Sequence, residues 1–383
     1  MIEAVIVAAT RSPIGRANKG SLVDLRPDDL AATIVRAALA RVPKLEPTLV
    51  EDVLVGCAQP AGEAGYNLAR PVALLAGLPG AGGTTINRYC ASSLQAIRAA
   101  AHAIVAGEAD VLVAAGVECV SRFGKGKSDG MPETKNARFG RDGLPDVYIA
   151  MGETAENVAD REQVTREQMD AFAAESQRRA VAAQAEGRFA REITPVTLPD
   201  GKVVDRDDGP RAGTTVEKLA ALAPVFRPDG RVTAGNACPL NDGAAAVVLM
   251  SDTRARALGI TPLARVVASA VSALDPAIMG LGPIEATRRV LARAGCTIAD
   301  VDRVEMNEAF AAQVIPSARA LEIPPDKLNV SGGAIALGHP FGMTGARLVT
   351  TLLRVLDDCG GKLGLATLCV GGGQGMAMLV ERL

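Results

Sequence analysis

The 383-residue chain predicts an α/β fold made of two related halves, with a polar segment inserted in the first. Three observations carry that expectation. Short β-branched or apolar runs alternate with helical patterns through most of the chain, as in sheets covered by helices. DDLAATIVRAALARVPKLEPTLVEDVLVG at 28–56 parallels IEATRRVLARAGCTIADVDRVEMNEAF at 284–310: a helix, a short loop, an acidic turn, then a strand led by valine. A glycine-rich loop and another helix follow each, from Cys90 in the first and from Gly338 in the second. Between 121 and 213 the chain turns polar, with the loops GKGKSDGMPETKN and LPDGKVVDRDDGPRAG, and reads as a lid or cap.

Taken in order, 5–9 predicts a buried strand. The spacing of Leu30, Ile34, Ala37 and Ala38 predicts a helix over 28–41, with Asp28 or Asp29 near its N-cap. Strands are expected at 53–56 and at 84–88, the latter running into Cys90 and a long helix over 91–105 closed by Gly107. A further strand spans 110–116. The polar segment holds helices near 154–160 and 165–186, and strand patterns resume at 244–250 and 264–271.

Composition narrows the function. A formal charge of −2 argues against a protein built to grip nucleic acid or anionic membrane. Trp 0, Tyr 3 and Phe 7 leave little for base stacking. Two histidines rule out a His-rich metal site, and seven scattered cysteines do not form a secreted disulfide framework, so a reducing compartment is expected. The charge-free stretches 71–87 and 328–346 are too rich in Gly and Pro for a membrane span. Glu3 and a short apolar run make the start a strand rather than a signal peptide, and the terminal Glu381-Arg382-Leu383 is no peroxisomal address. The expected location is the cytoplasm.

Several motifs fail. GKGKS at 124–128 ends like a phosphate loop, yet Ser121 stands where its first glycine belongs. GGGQG at 371–375 lies too near the chain end for a dinucleotide fold. No CxxC pair suggests structural zinc, and no GxSxG elbow suggests a serine hydrolase.

Three segments hold the candidate chemistry. In INRYCASSLQAI at 86–97, a strand delivers Cys90 to a helix start, whose N–H groups and dipole would lower the thiol pKa. Ala91, Ser92 and Ser93 leave room for substrate. Alone, such a cysteine is more often a buried core thiol. In GGAIALGHPFGMTGAR at 332–347, His339 sits in a glycine-rich loop with Pro340 at a helix start; glycines allow the close approach a catalytic imidazole needs. His102, mid-helix, reads as a core or interface residue. In LATLCVGGGQGMAMLVERL at 365–383, Cys369 enters three glycines whose N–H groups could face an oxyanion; an inert cysteine in a tight hairpin fits equally.

Together these segments resemble the thiolase family, and the resemblance spans essentially the whole chain. NEAF at 307–310, MGETAENVA at 151–159, VTAGNACPLNDGAAAVVLM at 232–250, MGLGPIEAT at 279–287 and the opening VIVAATRSPIG belong to it as well. It implies two similar five-stranded α/β halves packed in α-β-α-β-α layers: 1–120 completed by 243–264, an inserted loop domain at 121–242, and 265–383. It also implies a homodimer or homotetramer, acting on coenzyme A substrates without metal or redox cofactor, with a β-oxidation multienzyme complex as the expected partner.

The resemblance further implies roles. Cys90 would be the nucleophile that takes the acyl group, with His339 accepting its proton. Cys369 would protonate the acetyl-CoA enolate and then act as base. One oxyanion hole would come from His339 Nε2 and a water held by Asn307, the other from the N–H groups of Cys90 and Gly371. Glu308 would orient the site or serve as a structural partner. Arg211 and Phe226 would meet the adenine end of coenzyme A, while Met151, Ala234, Cys238 and Phe310 flank the pantetheine. The family often has Gly at Ser93, Ser at Cys238 and, in short-chain enzymes, His at Ala150. These departures favour a broad 3-ketoacyl-CoA range over acetoacetyl-CoA biosynthesis. A ketosynthase would need a second catalytic histidine, and a non-enzymatic lipid carrier would lack a residue of the set.

Overall fold

A computed structural model of the chain describes residues 2–125, 135–141 and 143–383. The first half runs β1 (Ala4–Arg11), β2 (Gly15–Arg16), α1 (Pro27–Ala40), β3 (Asp52–Gly56), α2 (Ala69–Leu75), β4 (Thr84–Ile86), α3 (Ser92–Ala106) and β5 (Val111–Cys119). The inserted segment carries α4 (Met151–Arg161), α5 (Arg166–Ala185), β6 (Val196–Thr197), β7 (Val203–Val204) and α6 (Val216–Ala220). The chain returns through β8 (Asn241–Ser251) and α7 (Asp252–Ala257). The second half follows: β9 (Ala264–Ala273), α8 (Gly282–Ala294), β10 (Arg303–Met306), α9 (Ala311–Ala320), α10 (Ala334–Leu337), α11 (Thr344–Cys359), β11 (Leu363–Val370) and β12 (Gln374–Arg382).

The repeat seen in the sequence is a repeat of topology. The first half orders its strands β4-β3-β5-β8-β1, the second β10-β11-β12-β9. β8 pairs antiparallel with β1 and β5 as β12 does with β9 and β11, and β3 lies parallel to β5 as β10 does to β11. The place of β4 has its counterpart in a parallel bridge from Val304 to Leu328. At one corner Val5 pairs with Arg265 and Ile6 with Ala264, joining the two sheets into one ladder.

Side-chain alternation explains the layers. Along β8, Ala244, Ala246, Val248 and Met250 pack towards α1, while Ala245, Val247 and Leu249 join α3 and α11. Both faces are buried, hence the unbroken apolar run AAAVVLM. Leu94, Ile97 and Ile104 of α3 and Leu348, Leu352 and Leu356 of α11 share one cluster with strands of both halves. These two helices form the middle layer; α1 covers one outer face, and Val290 and Leu291 of α8 cover the other. The inserted segment is fastened to β1 by the fully buried Arg11, which pairs with Glu192 at 2.8 Å and Asp207 at 2.7 Å.

One local expectation is sharpened and another fails, each for an identifiable reason. The N-cap of α1 is Arg26, because Pro27 takes the first helical position, where a missing N–H costs nothing; Asp28 and Asp29 occupy the first turn. The strand approaching Cys90 ends at Ile86. Asn87 Oδ1 accepts from the Tyr89 N–H, Ser92 Oγ accepts from the Arg88 N–H, and a 3-10 turn, Tyr89–Ala91, intervenes before α3. Gly107 closes α3 in the left-handed conformation as expected, φ 77°. The GKGKS stretch lies for the most part outside the described residues. Among the described residues no helix is long and apolar enough to cross a membrane.

Candidate active site

The two middle helices touch at their N-termini. Ser93 Oγ accepts from the Ala346 N–H at 2.9 Å, and a side chain on Gly345 would collide with Leu94. The loops leading into α3 and α11 are therefore neighbours, and they carry Cys90 and His339.

Cys90 is half-buried at the edge of a cavity of ≈ 510 Å³, also lined by Gln59, Tyr148, Met151, Phe341 and Gly371. The backbone N–H groups of Gly371 and of Cys90 itself favour thiolate. Burial outweighs them and pushes the thiol up to about 11, the reverse of the sequence expectation. Two donors do not replace the hydration a thiolate loses.

His339 is held on every side. Gly338 has φ 116°, and a Cβ there would strike the Asn241 amide, whose Oδ1 accepts from the His339 N–H at 3.0 Å. The Thr344 hydroxyl donates to the Pro340 carbonyl, so it accepts from Nδ1 of His339 at 2.6 Å. This network places the proton on Nδ1 and the lone pair on Nε2. Asn307 Nδ2 donates to Nε2 at 3.3 Å. Burial first, and Arg347 second, lower the imidazole to about 3, so it is neutral at pH 7. Pro340 does not open α11. The helix starts at Thr344, because the Gly342 N–H is taken by a carboxylate from the other half.

That carboxylate is Glu118, which the sequence did not single out. It lies one residue before the end of β5, fully buried, and accepts from the N–H groups of Ala58 (2.9 Å), Gln59 (3.2 Å) and Gly342 (2.8 Å). Burial raises its pKa to about 7. Ala58, Gln59 and Phe341 all line the cavity, so one side chain ties its wall in the first half to the His339 loop of the second. The available signal was an acid inside the apolar run VLVAAGVECV.

Asn307 follows β10, and its N–H bonds to Thr367 of the adjacent β11. Cys369 lies near the end of β11, paired with Gly375 and fully buried. Burial, with the neighbouring thiols of Cys90 and Cys238, pushes its pKa well up. The tight hairpin is real too: Gly372 and Gly373 turn with φ 74° and 79°. Glu308 is buried among Ser176, Asn329 and the Ile335 N–H, tying α5 to the loop before α10.

The remaining predicted residues lie on the side of the inserted segment. Met151 lines the cavity. The Phe226 ring packs on Gly152 and meets Phe310 edge-on, with centroids 6.3 Å apart. Cys238 donates its N–H to Ala309, and Ala234 is exposed nearby in sequence. Arg211 is exposed outside the cavity lining, its N–H donating to Gln177. Ser92 and Ser93 are buried and used in turn and helix caps, so they do not make room for substrate.

Residues 4–253 match the family model "Thiolase, N-terminal domain" and 260–382 match "Thiolase, C-terminal domain". The chain belongs to the thiolase family. Thiolases are acyl-CoA acyltransferases, and this thiolase is an enzyme of that class. It is similar to a 3-ketoacyl-CoA thiolase of Shewanella baltica, 46% identical over 100% of both chains. A 3-oxoadipyl-CoA/3-oxo-5,6-dehydrosuberyl-CoA thiolase of Escherichia coli is likewise 46% identical over 100% of both. The crystal structure of the Bacillus anthracis acetyl-CoA acetyltransferase superposes with a TM-score of 0.91 at 41% identity, covering 100% of this thiolase and 99% of that chain.

Proposed function

We propose that this thiolase cleaves 3-ketoacyl-CoA with free coenzyme A, giving acetyl-CoA and a shortened acyl-CoA through an acyl thioester on Cys90. The observation that carries the reading is that Cys90 and Gly371 line one cavity, into which the partly exposed Cys90 thiol opens. Cys90 attacks the 3-keto carbon and its proton passes to Nε2 of His339, the nitrogen the Nδ1–Thr344 hydrogen bond leaves basic. The Cα–Cβ bond breaks, and the departing enolate takes a proton from Cys369 to become acetyl-CoA. Cys369 then takes the thiol proton of coenzyme A, whose sulfur attacks the acyl-Cys90; acyl-CoA leaves and His339 returns the proton to Cys90.

His339 Nε2 with Asn307 would hold the enolate oxygen, and the N–H groups of Cys90 and Gly371 would hold the tetrahedral oxyanion. Each step is redox-neutral, so the reading asks for no metal or redox cofactor. Phe226, Phe310, Ala234, Cys238 and Arg211 would carry coenzyme A away from the cavity along the inserted segment. Oligomeric assembly as homodimer or homotetramer belongs to the same proposal. Ala150 lines the cavity, so a methyl group faces the acyl chain, which supports substrates longer than acetoacetyl-CoA. Incubation with 3-oxohexanoyl-CoA in the absence of coenzyme A should add a butanoyl group to Cys90, read by peptide mass spectrometry. Thiolysis at the wild-type rate in Cys90→Ala would sink the reading.

A further inference from the structure

Arg347 and Glu305 are both fully buried, and neither takes part in the steps of thiolysis. Arg347 Nη1 donates to Glu305 Oε2 at 3.1 Å, a single bond rather than a fork. Among the described residues, Arg347 Nη2 and Glu305 Oε1 find no hydrogen-bond partner. Burial raises the Glu305 carboxyl to about 8 against the pull of Arg347. A buried pair met this poorly costs more in lost hydration than it returns, so stability does not account for it.

Its position in the fold offers another reason. Thr344 and Arg347 lie three apart on one face of α11, and a long helical side chain leans back over the preceding turn, here the one Thr344 opens. Glu305 and Asn307 lie two apart along β10 and its continuation, where Asn307 still bonds to Thr367, and so share a face. Thr344 accepts from Nδ1 of His339 at 2.6 Å and Asn307 Nδ2 donates to Nε2 at 3.3 Å, so the imidazole is gripped between the same two elements. The Arg347–Glu305 contact ties α11 to β10 just behind that grip. Arg347 also adds to burial in keeping the imidazole uncharged.

We propose that Arg347 and Glu305 are a positioning pair for the base. Their contact fixes the spacing of α11 and β10, so that Thr344 and Asn307 hold His339 as one tautomer with its lone pair on Nε2. The inference rests on the thiolysis reading above. Without the cross-link either hydrogen bond to the ring can lengthen and Nε2 loses its fixed place; a shift of about 1 Å can cost about 10²-fold in rate.

The test replaces the pair whole, in Arg347→Met/Glu305→Leu, so that no buried charge is orphaned. Thiolysis kcat should fall about 10²-fold with KM within about twofold of wild type, while Tm stays level or rises. Arg347→Lys keeps a cationic donor where only one guanidinium nitrogen is used, and should retain kcat within about threefold. His102 and His339 are the only histidines, so 15N-histidine spectra read the ring directly, with His102→Gln to assign them. The wild type should show His339 protonated on Nδ1 alone, and the double variant a mixture of tautomers. Wild-type kcat in the double variant overturns the proposal, as does an unchanged His339 spectrum, or a loss of activity that only follows a lowered Tm. If the double variant does not fold, Glu305→Ala against Glu305→Gln makes the same comparison, with the acceptor lost or kept. A wild type that shows the single tautomer yet cleaves no 3-ketoacyl-CoA overturns the thiolysis reading instead, and with it the role of base given to the ring.

Discussion

The two halves repeat one plan and use it differently. Each sends a loop into a middle helix, and the loop before α3 carries a half-exposed thiol while the loop before α11 carries a buried imidazole. Each also has a corresponding strand with a buried reactive group one residue before its end, the carboxylate of Glu118 in β5 and the thiol of Cys369 in β11. Two pairs of corresponding positions thus hold a thiol and an imidazole in the loops, and a carboxylate and a second thiol in the strands. No half holds a complete set.

The largest test of that division is His339→Asn, which keeps a polar side chain but removes the basic nitrogen. Thiolysis should fall by about 10²–10⁴, the usual scale of general-base loss, measured as kcat at saturating substrate. A loss below tenfold would show that the second half does not supply the base.

Glu118→Gln tests the brace. Its folded pKa, about 7, lies above the ordinary carboxylate value, so its contribution to stability is present below pH 4.5 and lost as pH rises through 7. For this fully buried group the loss is on the order of 3 kcal/mol. Urea unfolding at pH 5 and pH 8 should show the wild type losing stability across that window, with the slope reduced in Glu118→Gln. An unchanged slope would mean the carboxylate is ionised throughout.

The two thiols should separate under iodoacetamide. Cys90, at the cavity edge, should alkylate first and Cys369, fully enclosed, last. With burial pushing Cys90 up to about 11, labelling should rise about tenfold per pH unit through neutrality. A plateau already reached at pH 7 would show that the N–H donors win over burial.

The smallest expected effect is at the helix junction. Ser93→Ala removes the acceptor of the Ala346 N–H and should cost about 1 kcal/mol, seen as a Tm lowered by a few degrees. Acyl-chain preference should not move, because Ser93 is buried away from the cavity. A changed preference would restore it as a specificity position.

Much of the fold was legible because both faces of its central strands are apolar and helix ends carry recognisable signals such as Gly107. His339 and Cys369 were legible because scarce reactive residues stood beside glycine-rich turns, Cys90 because a strand pattern led it to a helix start, and Asn307 only through the family resemblance. Glu118 was not, since its partners are backbone N–H groups from segments 60 and more than 220 residues away. The direction of the Cys90 pKa was missed for a related reason: local sequence displays the donors but not the depth of burial. Ser93 reads in the sequence as leaving room for substrate because nothing in its neighbourhood reveals that a second helix starts above it.

The bond from Gly342 to Glu118 also bears on biogenesis. A chain in which only one half has folded has no closed His339 loop and no finished cavity wall, whatever the state of its thiols. On the reading proposed above, acyl transfer thereby becomes a readout of assembly, and an incompletely folded molecule that exposes Cys90 would present a thiol without its paired imidazole.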